Sequence, residues 1–405
     1  MKTGSLISTN HFPMGIALAV VLLLTVGAIA FFFWSRKRRK LKRFYEDLGL
    51  HSEEKVLRQG TDRKTKALAK IHYPKFKWRD GNLHLYGYNY SKTSDYFETK
   101  LEAFNTFFGK FFFKVEPHPT KGVVFYQSKM PDSFVLTEEI ADKFQPFEVP
   151  AGFDDYGKLH TDLLVNQDLT IPNSNHFTSG RAGSGKTTFV LARLWVLLRK
   201  AKIRVLVLAP KNSYNNLKAK FGWDLHYFDC SRVEQVEAYL SEIQQHKAEI
   251  EAIRQKLAEE NVSEEEFFKF VQERKLDYTP RLYLFDDASA FLKAELYGKD
   301  DELKAPIQDL IREINTAGRL YRYAFFLIWV ISHSAKVDEV GLSPIIYSTR
   351  VINKVENDKV SQTVIGTNDL ISPRLGKSCF FDTEKYSFLR TPFINLLSKE
   401  VGGRK

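Results

Sequence analysis

Hydrophobic positions run without a break from Met14 to Trp34, "MGIALAVVLLLTVGAIAFFFW". A helix of that length reaches about 30 Å, the thickness of a bilayer core. The block "RKRRKLKR" follows from Arg36 to Arg43, whereas only Lys2 precedes the apolar run. This asymmetry predicts a single transmembrane helix over 14–34, residues 1–13 outside and the remainder in the cytoplasm. A cleaved signal peptide needs a shorter apolar core and a polar cleavage zone, and here aromatics run straight into the charges. The basic block reads as a stop-transfer and headgroup anchor, with DNA contact a secondary use.

Residues 35–70 read as a basic connector beside the membrane, polar and helical over 44–70. The pattern then changes. "YPKFKW" and "LHLYGYNY" predict two strands around Asp80-Gly81, "SDYFETKLEAFNTFFG" spaces its apolar residues as a helix does, and "KFFFKVEPH" and "GVVFYQSKM" predict two more strands. The region 71–145 is therefore expected to hold a small α+β domain and linker, with "PFEVPAGFDDYGK" marking the passage into the next domain. Lys, Arg and aromatics mix in "YPKFKWRD", as they do in nucleic-acid patches. A half-buried strand with Phe76 and Trp78 on one face accounts for the stretch more simply.

From 146 to 400 the pattern is that of an α/β domain. "HFTS", "IRVLVLAP", "HYFD", "RLYLF" and "AFFLIWVIS" predict buried parallel strands. Residues 232–276 form a long charged helical stretch with heptad-like spacing. A surface helix pair inserted in the core fits it better than a coiled coil. Strand and helix alternate in the order of a parallel sheet with helices on both faces, the RecA-like P-loop NTPase architecture.

Composition adds two points. The net charge of +11 suggests an acidic partner, either nucleic acid or anionic lipid. Of the two cysteines, Cys230 and Cys379, neither has a neighbour at metal-ligand spacing, so both read as reduced, buried thiols.

The densest chemistry lies in "GRAGSGKTT", residues 180–188. It satisfies GxxxxGK[ST] and sits between a strand and a helix. Gly180, Arg181, Ala182, Gly183, Ser184 and Gly185 would turn backbone N–H groups toward phosphates, aided by the helix N-terminus before Thr188. Lys186 would reach the β- and γ-phosphates of ATP, and the Thr187 hydroxyl would ligate Mg²⁺. "RLYLFDD" supplies the acidic element: Asp286 would hold Mg²⁺, and Asp287 stands where such sites usually carry a Glu that polarises the attacking water. An ordinary strand-end turn is the alternative for this pair.

Four ordered blocks, "NHFTSGRAGSGKTTFVLARLWVLL", "RLYLFDDASAFL", "GRLYRYAFFLIWVISHSAKVDEV" and "STRVINKVENDKVSQTVIG", resemble FtsK/SpoIIIE-type DNA translocases. The resemblance covers about residues 145–395. One span, no long linker and the small domain after the anchor resemble the TcpA-like conjugative coupling proteins of Gram-positive elements. The resemblance implies a membrane-anchored homo-hexameric ATPase that moves DNA with little sequence preference. Its expected partners are a relaxase and the proteins of a type IV secretion channel. A translocase for chromosome or phage DNA and a non-cycling ATP-binding docking protein are the other readings. The family's strand-end Gln falls on Ser332 or His333, depending on the alignment. Arg319, Arg322 and Arg350 are the candidates for an arginine finger. Val360-Ser361-Gln362 stands in place of the family's Asp-Ser-Arg.

Overall fold

The computed structural model describes residues 14–59, 65–88, 92–118, 122–131, 133–172, 174–211, 214, 222–334, 340–343, 346–347, 349–353, 355, 377–382 and 385–392. For several of these, including most of 14–29, 55–69 and 377–388, only the backbone is described. The chain divides into two units, Met1–Ser128 and Lys129–Lys405.

In the first unit one helix, α1, runs from Met14 to Asp47. The expected helical connector over 44–70 is not found. The chain leaves α1 at Asp47 and forms an antiparallel hairpin of β1 (Ser52–Gln59) and β2 (Thr65–His72). The signal for it is short: "AKIH" at the end of β2 alternates apolar and polar residues, and "GTD" lies between the strands. A four-stranded antiparallel sheet follows, built from β3 (Lys75–Arg79), β4 (Asn82–Tyr86), β5 (Phe112–Pro117) and β6 (Val123–Gln127) in the order β3-β4-β6-β5. Asp80 and Gly81 both take positive φ, 49° and 81°, the backbone that a two-residue hairpin turn requires. Helices α2 (Ser94–Glu98) and α3 (Leu101–Phe108) cover one face of this sheet. Phe97 and Phe104 meet Leu83, Leu85 and Phe125 there, and Tyr45 near the end of α1 and Leu50 just after it close the core.

The second unit begins with α4 (Glu138–Asp142) and a hairpin of β7 (Glu148–Phe153) and β8 (Leu159–Leu163). Then come β9 (His176–Ser179), α5 (Lys186–Lys200), β10 (Arg204–Ala209) and β11 (Leu225–Asp229). Helices α6 (Val233–Glu259) and α7 (Phe267–Glu273) follow, then β12 (Arg281–Phe285), α8 (Lys304–Leu320), β13 (Phe326–Ser332), β14 (Thr349–Ile352), β15 (Lys377–Asp382) and β16 (Lys385–Arg390). All the strands share one sheet, ordered β11-β10-β12-β13-β9-β14-β15-β16-β7-β8. The first six are parallel and the rest antiparallel.

The parallel strands are buried on both faces, and alternation decides what each residue meets. Val205, Val207, Leu282, Leu284, Leu327 and Trp329 share a core with α5. Leu206, Leu208, Tyr283, Phe285, Phe326 and Ile328 share a second core with α6 and α8. The heptad-like spacing of α6 is one stripe, Val236, Tyr239, Ile243, His246, Ile250, Ile253 and Leu257, buried against this second face. Two helices thus occupy this stretch, and the heptad pattern of the first serves the sheet.

The stretch expected to be a linker, 146–158, instead holds the strand β7 and the turn that leads into β8. Its Pro150 and Gly152, which suggest a break, lie at a shift in the β7–β8 register. A bulge is where a strand tolerates proline. Gly152 has φ +150°, and a Cβ there would lie 2.6 Å from the carbonyl oxygen of Arg390 on β16. Cys230 is buried and unpaired, its thiol pushed up to about 12 by burial, while the side chain of Cys379 lies outside the described residues.

Candidate functional site: a phosphate cradle at the strand ends

The parallel strands deliver their C-terminal ends to one edge of the sheet, where open α/β sheets place their ligands. There β9 runs into the loop Gly180–Gly185, which enters α5 at Lys186. A cavity of about 380 Å³ is lined by Ala182–Thr188, by Ala209–Lys211 after β10, by Asp286 and Asp287 after β12, and by Ile331 and His333 at the end of β13. That volume suits a small-molecule ligand.

Gly183 and Gly185 take φ of 72° and 90°, and a Cβ on either would meet nothing within 4 Å. The left-handed backbone, not crowding, demands glycine here. Lys186 is buried and donates from Nζ to the carbonyls of Gly180 (2.6 Å) and Arg181 (3.0 Å). Its Nζ also lies 3.3 Å from Nδ1 of His333. Burial lowers the lysine's pKa, and Asp287 and Asp286 partly offset this.

Asp286 is raised chiefly by burial. The Tyr214 hydroxyl donates to its Oδ2 at 2.7 Å, which works in the opposite direction. Asp287 takes φ 60°, rare for a residue with a side chain. Its Oδ1 lies 3.3 Å from Nε2 of His333, an ion-pair distance without hydrogen-bond geometry. His333 thus stands between Lys186 and Asp287, and its backbone N–H donates to Ser289 Oγ at 3.2 Å.

These groups fit a polyphosphate and a hard divalent cation. Turned glycines and a helix N-terminus face anionic oxygens. Thr187 and Asp286 offer hard oxygens in one cavity, as Mg²⁺ prefers. Ser184 Oγ and Asp287 Oδ1 are buried without a hydrogen-bond partner, as groups awaiting a ligand are.

No family model and no curated protein matches the chain. Solved structures do. The pCW3 conjugation coupling protein TcpA, in its monomer form with ATPγS, superposes with a TM-score of 0.55 at 14% identity, over 88% of this chain and 95% of that one. The chain has the fold of this coupling protein. The cytoplasmic domain of the type VII secretion ATPase EccC from Thermomonospora curvata gives 0.48 at 16% identity, over 64% of this chain and 30% of that one. VirB4 of Thermoanaerobacter pseudethanolicus gives 0.37 at 12%, over 64% and 98%.

Within the coupling-protein fold the remaining expected residues separate. Of the two strand-end alternatives, His333 lines the cavity, whereas Ser332 is fully buried and its Oγ accepts from the Ser334 N–H at 3.0 Å. Arg319 is exposed in the last turn of α8, and its Nε donates to the Asn315 carbonyl at 3.1 Å. Arg322 precedes the N-terminal end of β13. The cavity is at the other end of that strand, about 23 Å away. Arg350 lies on β14 opposite Phe177. None of the three arginines lines this cavity. Val337-Asp338 and Val360-Ser361-Gln362 lie outside the described residues.

Two features escaped sequence reading. Tyr214 lies in a polar loop, and only its place after a buried parallel strand signals a site residue. Arg193, on α5, is fully buried. Its guanidinium donates to Asp162 Oδ2 on β8 (2.7 Å), contacts His176 Nε2 on β9 (3.2 Å) and lies 5.0 Å from the Trp329 ring on β13. A helical arginine inside "FVLARLWVLL" carries no sign of that burial.

Proposed function

We propose that the chain is a membrane-anchored, ATP-driven DNA translocase that acts as a coupling protein, delivering DNA to a type IV secretion channel during conjugation. The observation that carries the reading is the constellation of Lys186, Asp286, Asp287 and His333 on one cavity of a coupling-protein fold. In it Lys186 binds the β- and γ-phosphates of ATP, Thr187 and Asp286 hold Mg²⁺, Asp287 orients the lytic water, and His333 senses the γ-phosphate. The metal supplies charge neutralisation on the phosphates when bound. Arg319, Arg322 and Arg350 are available to a neighbouring subunit, which suits a homo-hexameric ring with an arginine finger acting in trans. A relaxase and channel proteins are the proposed partners.

Membrane anchorage is part of the same proposal. Among the described residues no helix is long and apolar enough to cross a membrane, and most side chains of 14–29 lie outside them. Where side chains are described, Leu22, Val26 and the consecutive Phe31, Phe32, Phe33 and Trp34 are each more than half exposed. Such a surface suits lipid. The motor would then be cytoplasmic.

ATP-dependent displacement of streptavidin from end-biotinylated DNA, single- and double-stranded, tests the proposal. The wild-type chain should displace it with ATP, and Lys186→Ala should not. Hydrolysis without displacement by the wild type would refute translocation. The second reading, a docking protein that binds ATP without cycling, draws on Asp287, one methylene shorter than the usual Glu. It calls for binding with no turnover at all.

A further inference from the structure

The stretch "KFKWR" of β3 separates its chemistry by alternation. Phe76 and Trp78 face the helices, with ring contacts to Phe108 at 5.6 and 6.0 Å, as a half-buried strand should. Lys75, Lys77 and Arg79 therefore lie on the other face. All three are exposed, and none has an ion-pair partner among the described residues.

The register continues the pattern inward. Lys75 pairs with Tyr86, Lys77 with His84 and Arg79 with Asn82. The rings of His84 and Tyr86 stack at 6.2 Å and 18°, and His118 packs edge-on to both at 5.4 and 5.2 Å. These rings are half-buried. His84 is held below the ordinary histidine value, first by burial and then by His118, so it is a neutral ring at pH 7. On the far strand Lys114 pairs with Glu116, which also accepts from Tyr126, so charge is balanced there. The excess of cations is confined to the β3 edge.

We propose that this open sheet face is a binding platform for single-stranded nucleic acid, with bases on the His84–Tyr86–His118 rings and phosphates along Lys75, Lys77 and Arg79. A cluster of half-buried aromatic rings beside a row of cations matches unpaired bases beside their backbone. A duplex keeps its base faces stacked inside and cannot use the rings. Half-buried rings also lack the protruding apolar side chains by which proteins enter a bilayer. The inference deepens the DNA-handling reading above and rests on it. It gives the first unit a role in receiving the strand.

Fluorescence anisotropy with the full chain in phosphatidylcholine nanodiscs tests it. The probes are an oligothymidylate of about twenty nucleotides, long enough to span one such site, and a duplex of equal length. The combined Lys75→Ala, Lys77→Ala, Arg79→Ala variant should bind oligothymidylate about tenfold more weakly and lower the salt slope by about 2, the share of three phosphates. Tyr86→Ala should weaken it about tenfold, and Tyr86→Phe should restore binding to within about twofold, because the ring alone is needed. Duplex binding should change less in every variant. If the variants bind oligothymidylate as the wild type does, while DNA still stimulates the wild-type ATPase, the platform is overturned and the motor reading stands. A wild type that neither binds DNA nor responds to it overturns both. A combined variant that loses phosphatidylserine vesicles but keeps oligothymidylate overturns the proposal in favour of a membrane surface.

Discussion

Arg193 offers a sharp test of how the phosphate helix is held. Its guanidinium is fully buried, and Asp162, with about a quarter of its side chain exposed, is its only anionic partner among the described residues, at 2.7 Å. Burial outweighs that pairing, so the arginine's pKa is lowered. Asp162→Ala would leave a buried charge without compensation, at a cost of about 3–5 kcal/mol. Arg193→Met would remove the charge, fill much of the volume and leave a partly solvated Asp162. Its main cost is that the buried Nε2 of His176 is left without a partner, about 1–3 kcal/mol. The double variant should match Arg193→Met, because no buried charge is left to strand. At about 2 °C per kcal/mol for a domain of this size, the Asp162→Ala unfolding midpoint should fall by about 6–10 °C and the other two by less. Differential scanning calorimetry of the full chain reads all three. Additive losses in the double variant, or a larger loss in Arg193→Met than in Asp162→Ala, would refute the argument.

Three further outcomes follow from the site and its supports. Tyr214→Phe removes a hydrogen bond to a buried carboxylate, so the Mg²⁺ concentration needed for half-maximal turnover should rise about tenfold, read by a Mg²⁺ titration of ATPase activity. His333→Gln keeps polar atoms between Lys186 and Asp287 and should hold turnover within a few-fold, whereas His333→Leu should reduce it at least about tenfold; equal rates in both would contradict a sensing role. His176 and His246 are buried and held well below 6.5, the first by burial and Arg193, the second by burial and then Arg281 and Arg204. Since their folded values are depressed, the unfolded chain takes up protons first as pH drops. Their contribution is intact above 6.5 and is lost below it, by up to about 1.4 kcal/mol per pH unit for each imidazole, and melting curves between pH 7.5 and 5.5 should show the decline.

Much of the second unit is legible because its signals are local. A parallel strand buried on both faces must be apolar through its interior, and "VLVLA", "LYLF" and "FLIWVI" are. The phosphate loop is legible because glycine and lysine act within nine consecutive residues. The hairpin of β1 and β2 is less so, since Lys and Glu dominate it and only short runs alternate. The strand β7 is hidden by Pro150 and Gly152, which a bulge beside β16 accommodates, and β16 lies more than two hundred residues away. Arg193, Asp162 and His176 meet only when helix and sheet pack. The choice between Ser332 and His333 likewise depends on where β13 ends and which side chain then faces the cavity.

Turnover of ATP by the full chain, measured with and without DNA, tests the central claim most directly. The wild type should hydrolyse ATP, DNA should raise the rate severalfold, and Lys186→Ala should abolish both. A wild type that binds ATP but neither hydrolyses it nor responds to DNA would contradict the claim.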